Sequence, residues 1–240
     1  MISIDDVYQK VLALTNKEQR GYLTPQEFNL MANKAQREIY DSYFHNTRTA
    51  ELKNKTQADY SDIVESIELK LAGFKRSTSL SPGSDNEYSL SNNVYKVISV
   101  SYNGVEITKL TEDELLYTEN NPLTKANLNR MVYVDKPPTG AQGNGSKIKI
   151  YPSNSETQTY TINVAYYKEP DKPNWPYIVV RGRALYNGSS NTLVNFSLHP
   201  SEEENLVNRI LQLAGVVVMK PGLVEIGMSD RANVKQEQND

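Results

Sequence analysis

Apolar positions in the first third of the chain recur at helical spacing. Ile4, Val7, Val11 and Leu14 mark one face of a first helix, which Ser3 can cap with Asp6 at its third position. A second helix opens at "LTPQEF". There Thr24 is the expected N-cap, Pro25 fills the first helical position, Glu27 closes a capping box, and Leu23 and Phe28 form a hydrophobic staple. Phe28, Met31, Ala32, Ala35, Ile39 and Phe44 then extend its stripe. A third helix is expected from about Asp59 to Leu71, with Ile63, Ile67 and Leu71 on one face.

The period changes after Lys75-Arg76. "STSLSPGSDNEYSLSNN", Ser77 to Asn93, is rich in Ser, Asn, Pro and Gly and reads as a loop leading into a β region. "VYKVISVSY", the dipeptide Asn103-Gly104 and "VEITKL" predict a hairpin with a type I′ turn. "TEDELLYT" predicts a short helix boxed by Thr111 and Glu114. "RMVYV" and "KIKIYP" predict a second hairpin across the loop "DKPPTGAQGNGS". In "TYTINVAYY", Tyr160, Ile162, Val164 and Tyr166 share a face, and "YIVVRGRALY" with "TLVNFSL" supplies two more strands.

Helical spacing returns in "HPSEEENLVNRILQLAGVVVM". Pro200 is the stop, Ser201 the N-cap and Glu204 the third position, with Leu206, Ile210, Leu213 and Val217 on one face. Lys220-Pro221-Gly222 breaks that helix, and a polar tail follows with Leu223, Val224 and Ile226 as its apolar spots. The expected fold class is α+β. A helical bundle, discontinuous over 1–76 and 198–222, accompanies an antiparallel β domain at 77–197 and a C-terminal arm at 223–240.

Composition narrows the chemistry. With 240 residues the chain can bury a real core, and with no Cys it has neither disulfides nor thiolate metal ligands nor a cysteine nucleophile. The formal charge is −3, and residues 1–76 hold 11 Lys plus Arg against 11 Asp plus Glu, so that segment lacks the basic footprint that phosphate binding needs. "MISIDDVYQK" carries acids where a signal peptide wants bases, and "LAGVVVM", Leu213 to Met219, is too short to span a bilayer. A soluble protein made inside the cell, without a membrane partner, is expected. Tyr makes up 16 of the 21 aromatic residues, which suits either protein interfaces or strands with one wet face.

No catalytic, cofactor or metal site is expected. "NKEQRGYLTPQE" places Gly21 and Glu27 where a calcium loop of about 12 residues wants its glycine and its bidentate glutamate. Asn16, Glu18 and Arg20 then fall on ligand positions, one neutral and one cationic, so the loop has too few anionic oxygens, and Gly21 reads instead as a helix C-cap. Only His45 and His199 exist, too few for a histidine zinc site, and His199 in "LHPSE" reads as a local hydrogen-bonding residue. "TGAQGNGSK" precedes a strand, whereas phosphate loops open a helix. Glu202 to Glu204 are expected in a first helical turn, where each opposes the dipole by about 0.3–1 kcal/mol. Trp175, between Pro173 and Pro176, is expected to anchor a corner.

Three strings carry a resemblance. "VYQKVLALTNKEQRGYLTPQEFNLMANKAQREIYDSYF", "NNPLTKANLNRMVYV" and "FSLHPSEEENLVNRILQLAGVVVMKPGLVEIG" resemble the head-to-tail connector or ring proteins of tailed phages, particularly crAss-like and marine podovirus structural proteins. In layout the chain is more distantly similar to the tail tubular protein A adaptors of short-tailed phages. The resemblance implies a virion protein assembled in the host cytoplasm as a ring of about twelve copies beneath the portal. It further implies contacts with the portal protein and with the next tail or ring protein, the helices facing the portal and the β region the tail. DNA would pass through the channel without sequence-specific binding. Leu223, Val224 and Ile226 would be partner-binding residues on an arm that orders against the portal or a neighbouring subunit. The alternative is a β-domain binding module that recognises a glycan or another virion protein at the tail surface.

Overall fold

The computed structural model describes residues 1–16, 23–53, 59–83, 86–137, 146–152 and 160–217. The class is α+β, as the periodicity predicts. By its internal contacts the chain divides into two units, Met1–Gly73 with Pro170–Asp240, and Phe74–Glu169. The expected boundary at 197 therefore moves to 169.

In the first unit, α1 (Ile4–Asn16), α2 (Pro25–Lys53), α3 (Asp59–Ala72) and α5 (Glu203–Val217) supply the helical layer, α2 packing on α3 and α5 and α1 packing on α5. Ile4, Val7 and Val11 are buried, but Leu14 is 41% exposed, its place taken by Tyr8 and Thr15, because the α1 stripe winds toward the side that meets its neighbours. The start of α2 is held as its sequence predicts. Thr24 N–H and Oγ both donate to Glu27 Oε2, at 3.0 and 2.7 Å, and Glu27 N–H donates back to Thr24 Oγ at 3.3 Å. Leu206 and Ile210 of α5 are buried together with Val207, Leu211 and Ala214.

The entry to α5 differs from expectation. Pro200–Glu202 forms a 3₁₀ turn whose N-cap is His199, not Ser201, and His199 Nδ1 accepts from Ser201 N–H at 3.3 Å. Pro200 sets this tight turn first, so α5 proper begins at Glu203.

Residues 170–197 belong with the helices for a reason written on α2. Asn29, Asn33 and Gln36 share one helical face, and each reaches the returning chain. Asn33 Nδ2 donates to Pro173 O at 3.1 Å, Gln36 Nε2 to Asp171 O at 2.7 Å, and Gln36 Oε1 accepts from Ser197 N–H at 3.0 Å. "YIVVRGRALY" and "TLVNFSL" are not one strand each. The first folds on itself as a hairpin of β9 (Tyr177–Val180) and β10 (Arg183–Tyr186), while "TLVNFSL" makes only the isolated bridges Asn174 to Val194 and Ile2 to Phe196.

The second unit is two sheets on a shared core. The first has the order β1 (Lys75–Leu80), β8 (Ile162–Lys168), β3 (Val94–Tyr102), β4 (Val105–Glu106); the second runs β2 (Glu87–Ser89), β7 (Lys147–Tyr151), β6 (Val132–Lys136), β5 (Thr108–Lys109). Val100, Ile162 and Val164 from one sheet and Tyr88, Ile148 and Ile150 from the other close that core. β2, and β1 from Ser77 onward, lie inside the stretch expected to be loop. Asn103 and Gly104, with φ of 47° and 82°, make the expected hairpin turn, but "VEITKL" divides between the sheets. Ile107 N–H still bonds Val100 O at 2.8 Å, and Thr108 N–H already bonds Met131 O at 3.3 Å, where β5 runs parallel to β6. β6 is buried on both faces: Tyr133 points into the shared core, while Val132 and Val134 pack with Leu115 and Ala126 under the helix α4 (Glu112–Asn120).

Candidate interaction surface

Trp175 is the foundation of the β9–β10 hairpin. It is 2% exposed, and its indole N–H donates to Asp5 Oδ1 at 2.9 Å. Its backbone N–H donates to Asn29 Oδ1 at 2.8 Å, and its carbonyl accepts from Asn29 Nδ2 at 3.2 Å. Tyr8 lies against the indole with ring centroids 4.2 Å apart, and Tyr177 and Tyr186 stack on it at 6.1 and 5.6 Å. A buried, doubly tethered indole fits the expected corner anchor.

The register then sorts the hairpin into two faces. Tyr177 pairs with Tyr186 and Val179 with Ala184, so these four share one face, whose two tyrosines meet Trp175 at the base while Val179 nearer the turn is 66% exposed. Ile178 pairs with Leu185 and Val180 with Arg183, so Ile178, Val180, Leu185 and Arg183 share the opposite face. All four are exposed, Ile178 and Leu185 by 49% each. Arg181 and Gly182 form the turn, both at positive φ, 52° and 76°, as a two-residue primed turn requires. Arg181 and Arg183 make no ion pair among the described residues. Contiguous apolar side chains left in water cost free energy that monomers seldom carry, and such patches mark interaction sites.

A second exposed apolar surface sits on α4. Leu115 turns inward, and Leu116 and Tyr117 turn outward, the tyrosine 80% exposed. Asp113 lies three and four residues before them and therefore on their side of the helix. Leu123, just past the helix end, is 92% exposed. Four acids and no base lie within α4. Glu112 pairs with Lys136 and Glu114 boxes Thr111, which leaves Asp113 and Glu119 without an ion pair among the described residues.

Buried polar groups elsewhere do structural work. Glu202 is 6% exposed, pairs with Lys70 Nζ at 2.8 Å and accepts from Asn205 Nδ2 at 2.9 Å. Burial first, and then the Glu202 carboxylate, hold the Tyr43 hydroxyl well above the ordinary tyrosine pKa. Glu203, paired with Lys10, and Glu204 sit in the first turn of α5 as expected, whereas Glu202 belongs to the 3₁₀ turn before it. Among the described residues no group of three or more His, Asp or Glu gathers as metal ligands would. The Glu27 carboxylate is taken up by the cap of α2. Residues 17–22 of the calcium-like loop, the glycine-rich segment at 138–145 and the expected partner-binding residues Leu223, Val224 and Ile226 lie outside the described residues.

Sequence reasoning missed the hairpin surface, although its signal was present. Two runs of four mostly apolar residues flank Arg181-Gly182 at two-residue hairpin spacing. Among the described residues no helix is long and apolar enough to cross a membrane. No protein-family model matches the chain, and no curated protein matches it closely enough to count as a relative.

Proposed function

We propose that the chain is a structural virion protein, a head-to-tail connector ring that joins the portal to the tail around the DNA channel. The observation that carries an assembly role is the outer face of the β9–β10 hairpin, apolar, exposed and mounted on the buried Trp175. An exposed apolar hairpin face of this kind gains from burial against another protein and offers nothing to a small substrate. The placement of that assembly role at a phage head-to-tail junction rests on the resemblance of the three strings to connector proteins. A formal charge of −3 suits a channel through which DNA must slide without being gripped.

The test uses the full chain mixed with portal-bearing capsids, imaged by electron microscopy and weighed by native mass spectrometry. Rings of the chain attached at the portal vertex are expected. A chain that stays monomeric in the presence of such capsids refutes the proposal, whereas a monomer without them does not, since a ring can require the portal as its template.

A further inference from the structure

Taking the ring assembly proposed above as its premise, we infer that the outer face of the β9–β10 hairpin of one copy docks on the outer face of α4 and Leu123 of a second copy. The two surfaces match in chemistry. Ile178, Val180 and Leu185 offer an apolar strip with Arg183 on the same face and Arg181 at the tip. Leu116, Tyr117 and Leu123 offer apolar contacts beside Asp113, with Glu119 on the same acidic helix. They match in length as well. Four residues of strand and nine of helix each span about 13 Å.

Charge also selects against the symmetric alternatives. A hairpin laid parallel on its own copy would set the Arg181 and Arg183 tips together, and α4 laid on α4 would set acid against acid. Either arrangement buries like charges, which costs several kcal/mol at an interface. Pairing the cationic hairpin with the acidic helix avoids both. Such a contact uses two different patches of the same chain, so each copy offers one and receives one. A heterologous contact of that kind closes into a ring when its rotation permits.

The absence of native Cys makes the contact directly testable. The full-length variant carrying Ile178→Cys with Tyr117→Cys, oxidised at high protein concentration and again on portal-bearing capsids, is expected to give a ladder of disulfide-linked multimers. The control pair Ile178→Cys with Tyr95→Cys, which uses an exposed strand tyrosine instead, is expected to give none. Ile178→Cys alone yielding linked dimers would overturn the inference in favour of hairpin on hairpin. A link closing within one chain between Ile178→Cys and Val224→Cys would overturn it in favour of the chain's own C-terminal segment.

Charge exchange supplies a second readout. R183E and D113K should each weaken association about tenfold, and the R183E/D113K double variant should recover most of that loss. No recovery overturns the pairing. Rings on the portal with no ladder overturn this contact and leave the connector function standing. A ladder without attachment to portal-bearing capsids supports the contact and removes the connector function.

Discussion

Thr24 uses one hydroxyl twice, accepting from Glu27 N–H and donating to the Glu27 carboxylate, so a single side chain settles where α2 starts. Thr24→Ala removes both bonds and is expected to cost about 0.5–2 kcal/mol, read as a lower urea midpoint at unchanged slope. An unchanged midpoint would count against the cap. Glu27 adds a pH dependence. The Thr24 hydroxyl, then the Thr24 N–H, holds its pKa below the ordinary carboxylate value of 4.5. A carboxylate depressed in the folded state contributes stability that is present above the unfolded value and lost as pH falls through the folded one. Urea midpoints of the parent chain should therefore fall further between about pH 5 and about pH 3 than those of Glu27→Gln, and equal falls would show that Glu27 is not engaged.

Elements in the helical unit are tied by polar groups as much as by apolar stripes. Lys70 of α3 and Glu202 of the 3₁₀ turn have side chains only 19% and 7% exposed, so the pair is desolvated. Lys70→Met strands the Glu202 carboxylate and is expected to cost about 3–5 kcal/mol, with most of it recovered when Glu202→Leu is added. A loss under about 1 kcal/mol would mean that water reaches the carboxylate. Such ties explain what was legible in the sequence. Caps are local, and both boxes, at Thr24 and Thr111, follow from residues three apart. β1 is not local: "KRSTSL" carries one apolar residue, and it is a strand only because β8, nearly ninety positions away, offers a ladder. The allegiance of 170–197 was illegible for the same reason, since Asn29, Asn33 and Gln36 look like an ordinary wet helix face until their partners are known. The hairpin surface was hidden by a different cause. An apolar strand in a sequence signals burial, and here the apolar residues Ile178, Val179, Val180 and Leu185 stand exposed.

At the scale of the whole molecule, the chain enters the β unit at Phe74 and leaves it at Glu169. Phe74 O accepts from Lys168 N–H at 2.9 Å, and Lys75 pairs with Tyr167, so the two ends of that unit meet. A fragment of residues 74–169 is expected to fold alone, with a cooperative thermal transition in circular dichroism; a featureless melt would show that it depends on the helices. Truncation after Gly222 is expected to leave thermal stability unchanged yet to abolish attachment to portal-bearing capsids. Normal attachment of the truncated chain would remove the C-terminal arm from the assembly.

Ends that meet across one hydrogen bond turn the β unit into a cassette. Recombination can exchange everything from Phe74 to Glu169 for a foreign domain whose own termini are adjacent, and the helical frame at either side then keeps its threading. The surface carried by α4 would change wholesale in such an exchange, while the Trp175 corner and its hairpin would pass unaltered from parent to descendant.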